Sequence, residues 1–165
     1  VVLRYGADED VWLPLAFVLL LVPVTLIDLD HRIIPNKLMI VGALVAPVLV
    51  LVTRSGDIDE HAIAAAAAFG FFFLAALAYP SGMGMGDVKL AGVMGLFLGR
   101  EVAPALLIAL LSGTVAGAAI IARKGAAEGR KTAVPFGPFL ALGGIVALFA
   151  GEAIVDWYVD TFFPE

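Results

Sequence analysis

Apolar residues in this chain fall in long runs separated by short polar or glycine-rich segments. The runs cover Val11–Ile27, Leu38–Thr53, Ala62–Tyr79, Val88–Gly99, Val102–Ala122 and Ala133–Ala150. A helix that crosses a bilayer takes roughly 20 mostly apolar residues, with a range of about 17–25. Most of these runs meet that length. The pattern therefore predicts an all-α, polytopic membrane protein of about six transmembrane helices, forming a single membrane-embedded domain over residues 1–165. The fourth run is short. Its twelve residues reach roughly 18 Å at helical rise, against a hydrocarbon core of about 30 Å. Either its helix runs on through Arg100 and Glu101, or Asp87 begins below the membrane surface. The tail Gly151–Glu165 alternates acids with Trp157, Tyr158, Phe162 and Phe163, which predicts an interfacial segment.

Composition supports this reading. Hydrophobic residues make up 62% of the chain and charged residues 15%, with a mean hydropathy of +1.04. A soluble domain is about half apolar and about a quarter charged. There is no cysteine, which excludes disulfides, thiol catalysis and Cys-ligated zinc. The net charge of −5 gives no footprint for nucleic acid. No basic segment leads into a short apolar stretch with a cleavage site, so no signal peptide is expected. The chain begins with Val rather than Met, which leaves both a trimmed chain and a fragment open.

Six spans put Asp28–Lys37, Pro80–Lys89 and Arg123–Thr132 on one face. That face carries Arg32, Lys37, Lys89, Arg123, Lys124, Arg130 and Lys131, seven of the ten basic residues. The other face carries Arg4, Arg54 and Arg100 and most of the acids. Lys and Arg accumulate in cytoplasmic loops, so the first face is expected to be cytoplasmic, in the inner (plasma) membrane. The Arg123–Lys131 cluster needs no further role than setting this orientation.

The carboxylates left on the cytoplasmic face are Asp28, Asp30, Asp87 and Glu128. Asp28 closes the first run and Asp87 opens the fourth, both on the same side. An ionisable group at membrane depth is costly and is read as functional, with a partner to be named. Here each acid names the other. Two carboxylates held close do not both ionise easily. The charged member can activate a water while the protonated one serves the leaving group. Such chemistry needs no metal, cofactor or nucleophilic side chain, and none is expected. Gly82, Gly84 and Gly86 precede Asp87 and predict a loop, where glycine allows φ > 0 and close backbone approach.

Plainer roles compete for the same residues. Asp87 could be a helix N-cap, and Pro35-Asn36 a turn and cap before the second span. The Gly-Met alternation could be small-residue helix packing. Asp28 and Asp30 could each be an ordinary interfacial acid, and Asp30 is expected to pair with Arg32 or Lys37. His31 is read as a polar residue at headgroup level, and His61 lies on the opposite face.

Three segments carry a resemblance. Gly84-Met85-Gly86-Asp87 is the G-x-G-D signature of membrane aspartyl peptidases, and with Val88-Lys89-Leu90 it resembles the form found in the prepilin (type IV leader) peptidases. Asp28-Leu29-Asp30-His31-Arg32-Ile33-Ile34-Pro35-Asn36 resembles that family's first-aspartate motif. Pro135-Phe136-Gly137-Pro138-Phe139-Leu140 is similar to its segment at the start of the last span. G-x-G-D alone is weak; the three in order are specific. The resemblance spans roughly residues 20–148. It implies an endopeptidase that removes a short basic leader from prepilin-like membrane proteins, cutting after a Gly with a Glu a few residues beyond. Asp28 and Asp87 would be catalytic, with Gly84, Gly86, Lys89, Pro35 and Asn36 on the substrate. The substrate's apolar helix would dock laterally against the bundle while its leader stays in water. The family's long bacterial form adds an N-terminal region with paired C-x-x-C motifs, associated with N-methylation. Nothing in this sequence corresponds to it, so methylation is not expected of this chain.

Two other classes remain as alternatives. An ion-coupled transporter also places acids beside broken helices, but would favour an internal repeat, and the Asp28 and Asp87 segments do not resemble each other. A presenilin-type G-x-G-D peptidase would carry Tyr before its first aspartate, where this chain has Ile27. The substrate's identity and the oligomeric state are not legible in the sequence.

Overall fold

A computed structural model describes residues 11–79, 82–125 and 134–162. Six long helices make up the bundle: α1 (Trp12–His31), α2 (Asn36–Thr53), α3 (Ile58–Ala78), α4 (Met85–Leu98), α5 (Val102–Lys124) and α6 (Gly137–Phe162). Single 3-10 turns at Ser55–Asp57 and Gly99–Glu101 join α2 to α3 and α4 to α5. Residues 1–10, 80–81, 126–133 and 163–165 lie outside the described segments. Arg4, Arg130 and Lys131, used in the topology argument above, fall among them, as do Glu128, Phe163 and Glu165.

By length and apolarity alone, five helical stretches could cross a membrane, the fourth being the 40-residue run Met85–Lys124. That run would be about 60 Å long if straight, twice the hydrocarbon core. It instead breaks at Gly99, whose φ of +56° a side chain would disfavour. There the chain reverses. Gly95 of α4 lies against Ala64 and Ala65 of α3, and Glu101 reaches Gly151 of α6. Midway along α5, Gly113 lies beside Phe136 and Phe139. α4 thus descends antiparallel to α3, α5 returns antiparallel to α6, and six crossings result.

The short fourth run now has an explanation. α4 has 14 residues, roughly 21 Å, and the chain turns back at Gly99 instead of running on through Arg100 and Glu101. Its register on α3 is fixed by Gly92 against Phe69 and Gly95 against Ala65. Extended to the start of α4, that register sets Asp87 level with about Phe73, some 7 Å short of the end of α3. Asp87 thus starts short of the end of α3.

Among the described residues the core is apolar. Phe17, Leu21, Val24, Val50, Phe72, Val88, Leu90, Met94 and Leu140 are fully buried between helices. Phe17 stacks on Phe97 at 5.2 Å. Leu44, Ile63 and Val115 remain 65–69% exposed, as expected of side chains that face lipid. Lipid tails are as apolar as these residues, so helix association rests on close packing and small contact residues. The α3–α4 and α5–α6 pairs use glycine in this way. A Cβ on Gly95 would sit 2.5 Å from the Ala65 Cα, and one on Gly143 would strike the Ala105 carbonyl. Both obstacles are backbone, which cannot swing aside. Gly95→Leu is therefore expected to push α3 off α4 and cost about 1–3 kcal/mol or more, measured as a drop in thermal unfolding temperature in detergent.

Two helices outrun their apolar runs. α1 continues through Asp28, Leu29 and Asp30 to His31, because nothing in that polar stretch breaks a helix. α6 continues through Gly151 to Phe162, so the described part of the tail is the end of the last helix. Arg100 Nη2 lies 3.4 Å from Asp156 Oδ1 in an exposed pair on this extension.

Candidate active site

Three helix ends meet at one end of the bundle. α1 contributes its last turn, α4 its first and α6 its first. Asp28, Arg32, Ile33, Ile34, Asn36, Gly84, Met85, Gly86, Asp87 and Lys89 line a cleft of about 340 Å³ there. The two acids singled out in the sequence thus share one cleft, although 59 positions separate them.

Asp28 is 4% exposed, which is unusual for a carboxylate among apolar helices. Burying it without a partner would be costly. The partner is the first residue of α6: the Gly137 N–H donates to Asp28 Oδ2 at 2.9 Å. A helix amino end carries unsatisfied N–H groups and partial positive charge, and it suits a carboxylate. Pro138 follows in that first turn, where its missing N–H costs nothing. Gly137 was quoted in the sequence only as part of the third motif. Its direct contact with Asp28, 109 positions away, was not foreseen.

Asp87 is half-buried. Gly84 is the N-cap of α4, so Met85, Gly86 and Asp87 are its first three helical residues. The Gly84 N–H donates to Asp87 Oδ2 at 3.2 Å, the reach-back half of a capping box. Asp87 therefore does have the plainer role of securing a helix start, by a third-position contact instead of an N-cap. That contact holds the side chain at the cleft.

The glycines act through space and not through φ. Among the described glycines only Gly99 and Gly125 have positive φ. Gly86 allows Ile34 to lie across the helix start; a Cβ there would be 2.9 Å from the Ile34 Cβ. On Gly84 a Cβ would be 3.1 Å from Asp87 Oδ2. The expected loop also ends earlier than read, since Met85 and Gly86 are helical.

Across the cleft, Lys89 Nζ donates to Asn36 Oδ1 at 2.8 Å, joining the starts of α4 and α2. Pro35 is the N-cap residue of α2, the plainer role expected for Pro35-Asn36. Arg32 ends α1 in the left-handed region at φ 55° and turns the chain into Ile33-Ile34-Pro35. Asp30 is exposed. Among the described residues no ion pair joins it to Arg32 or Lys37, contrary to expectation: an exposed carboxylate keeps its water and gains little from such a pair. His61 is at the far end of the bundle, where it donates from Nδ1 to the Leu96 carbonyl at 2.9 Å. No cluster of three metal-ligating side chains occurs among the described residues.

Comparison with known proteins bears on the same segment. Residues 15–122 match the model of the type IV leader peptidase family, a stretch that includes both acids. The chain is 30% identical to a prepilin leader peptidase/N-methyltransferase of Legionella pneumophila, over 94% of this chain and 56% of that protein. It is 32% identical to the protein of that name in Bacillus subtilis (strain 168), over 95% of this chain and 63% of the relative. For the one in Aeromonas salmonicida the figures are 34%, 91% and 54%. The chain thus spans a little over half the length of these curated relatives. No solved structure matches it. With a family match over most of its length and helix ends that bring the motif acids into one cleft, this all-α membrane protein belongs to the type IV leader peptidase family.

Proposed function

We propose that the chain is a membrane aspartyl endopeptidase that cleaves the short basic leader from prepilin-like precursors, with Asp28 and Asp87 as its catalytic pair. The observation that carries this reading is the shared cleft, lined by both acids and open at one end of an otherwise apolar bundle. The relatives' names supply the substrate class. Those names also include N-methyltransferase; the proposal extends only to the peptidase.

The chemistry follows from the pair. The ionised carboxylate takes a proton from a water as its oxygen attacks the scissile carbonyl. The protonated carboxyl supports the developing oxyanion, and a proton is passed to the amide nitrogen as the C–N bond breaks. Water's two hydrogens end on the new amine and the new carboxyl group, so the pair is regenerated. Gly84, Gly86, Asn36 and Lys89 line the cleft with the two acids and would lie along an extended substrate segment, with Pro35 beside them as the cap of α2. To test the assignment, a purified precursor with its leader Gly intact is compared with one carrying a large residue there. The first should be cut just before its apolar stretch and the second at least tenfold more slowly. Equal cleavage, or a cut within the apolar helix, would identify a different membrane peptidase.

The cleft is proposed to face the cytoplasm of a plasma membrane. Arg32, Lys37, Lys89, Arg123 and Lys124 belong to the helix ends on the cleft side, and Arg54 and Arg100 to the opposite ends, in keeping with the positive-inside bias. Single cysteines at Gly56 and Ile33 in this Cys-free chain should label from opposite sides of the membrane; labelling from one side sinks the orientation.

A further inference from the structure

The flank of the bundle has three apolar grooves. One runs between α3 and α5, lined by Phe71, Ala103 and Leu107 among others. A second runs between α1 and α6, past Val22, Leu26 and Leu142. The third and widest, of about 590 Å³, lies between α2 and α3 with α4 as its floor. α2 and α3 scarcely touch each other, which leaves the face of α4 uncovered between them. Met39, Ala43, Ala66, Phe69, Gly92 and Leu96 line it.

The third groove differs from the others at one end. Its lining includes Asn36 and Lys89, and the same two residues line the cleft that holds Asp28 and Asp87. Neither of the other grooves shares a residue with that cleft. The junction is the Lys89–Asn36 hydrogen bond. From that polar mouth the groove follows α4 from Lys89 to Leu96, roughly 10 Å or two helical turns. Ala43 of α2 and Ala65 and Ala66 of α3 keep the two walls low, so a helix axis can come close, as at helix contacts within membranes.

Resting on the peptidase reading, we infer that this groove seats the first two turns of the substrate's own apolar membrane helix. The continuity is the argument. A chain leaving the cleft past Asn36 and Lys89 enters an apolar, laterally open channel, and enters no other. The extended leader would lie in the polar cleft and the helix would begin at the mouth. The remainder of the substrate helix would stay in lipid, which allows one site to accept precursors that differ beyond those two turns.

Disulfide trapping tests this in the Cys-free chain. The full chain carrying Asp87→Asn is reconstituted in phosphatidylethanolamine–phosphatidylglycerol vesicles with a precursor that bears one cysteine in the first two turns of its apolar helix. Probes are placed at Ile40 and Ala66, in or beside the groove, and at Leu107 and Leu142, in the other two. Cross-links from Ile40 and Ala66 should exceed those from Leu107 and Leu142 at least fivefold. Equal linking, or stronger linking from Leu107 or Leu142, overturns the docking site. Wild-type cleavage of the same precursor reports separately on the peptidase reading; a wild type that cuts nothing removes both. As a second measure, Ala43→Trp and Ala66→Trp fill the groove. Each should lower cleavage of the membrane precursor at least tenfold more than cleavage of a soluble peptide spanning the leader junction. An equal effect on the two substrates counts against the groove.

Discussion

Asp28→Asn and Asp87→Asn are each expected to abolish cleavage of a leader-bearing precursor, lowering kcat by about a thousandfold or more, while the protein still inserts and folds. An amide keeps the shape of the carboxyl group. It can still accept the hydrogen bond from Gly137 at Asp28, or from Gly84 at Asp87, through its carbonyl oxygen. It cannot take or deliver the proton that the reaction moves. Loss of general acid–base function costs roughly 10²–10⁴-fold for one group, and residues that act as a unit lose nearly the whole effect when either is removed. The double variant should therefore be scarcely worse than either single one. Asp30→Asn serves as the control. Asp30 is exposed and is not among the residues that line the cleft, so at least a third of wild-type activity should remain. Full turnover by either Asn variant would take that residue out of the mechanism. A dead Asp30→Asn beside an active Asp28→Asn would mean that the wrong acid of the first motif had been chosen.

How far the sequence reaches can be judged from particular residues. Hydropathy located the apolar stretch of each of the six helices, because each helix surface that meets lipid must be apolar along its length. It misjudged where helices end. A run of apolar residues reports the depth of the membrane, whereas a helix stops only where the backbone is turned. At α1 that is Arg32, three residues ahead of Pro35, which itself restricts Ile34 to extended geometry. At α4 the start lies earlier than expected because glycines are tolerated in a first turn held by the Asp87 reach-back. The two acids were legible because ionisable residues beside apolar runs are rare, and because their motifs resemble those of a known family. Contacts between distant segments were not. Nothing in the sequence pairs Gly137 with Asp28, or Lys89 with Asn36. Those contacts follow from the register of helices packed through Gly95, Gly143 and Gly144, and local patterns do not encode register.

Gly137 leads to the second large effect, and one of unusual kind. A Cβ at this position would lie 2.6 Å from Asp28 Oδ2 and 3.0 Å from its Cγ. The obstacle is mostly the carboxyl end of one side chain, with the Asp28 Cβ at 3.2 Å behind it; the carboxylate rotates away and gives up its hydrogen bond to the α6 amino end, at a cost of about 1–3 kcal/mol. Gly137→Ala should therefore unfold within a few degrees of wild type. Catalysis is less forgiving, since a displacement of about 1 Å in a reacting group can cost roughly a hundredfold. We expect kcat to fall by about that factor in Gly137→Ala and further in Gly137→Val. Gly144, two turns along the same helix, supplies the opposite case. Its Cβ would meet Phe17 Cζ at 2.9 Å and Met94 Cε at 3.1 Å, inside a core where both partners are fully buried. Gly144→Ala should lower the unfolding temperature yet keep most of its activity in the cold, because nothing in the cleft moves. Parallel measurement of unfolding temperature and precursor cleavage for the two variants separates positioning from packing. If Gly137→Ala retains more than half of wild-type activity, the Gly137–Asp28 hydrogen bond does not hold the carboxylate in its working position.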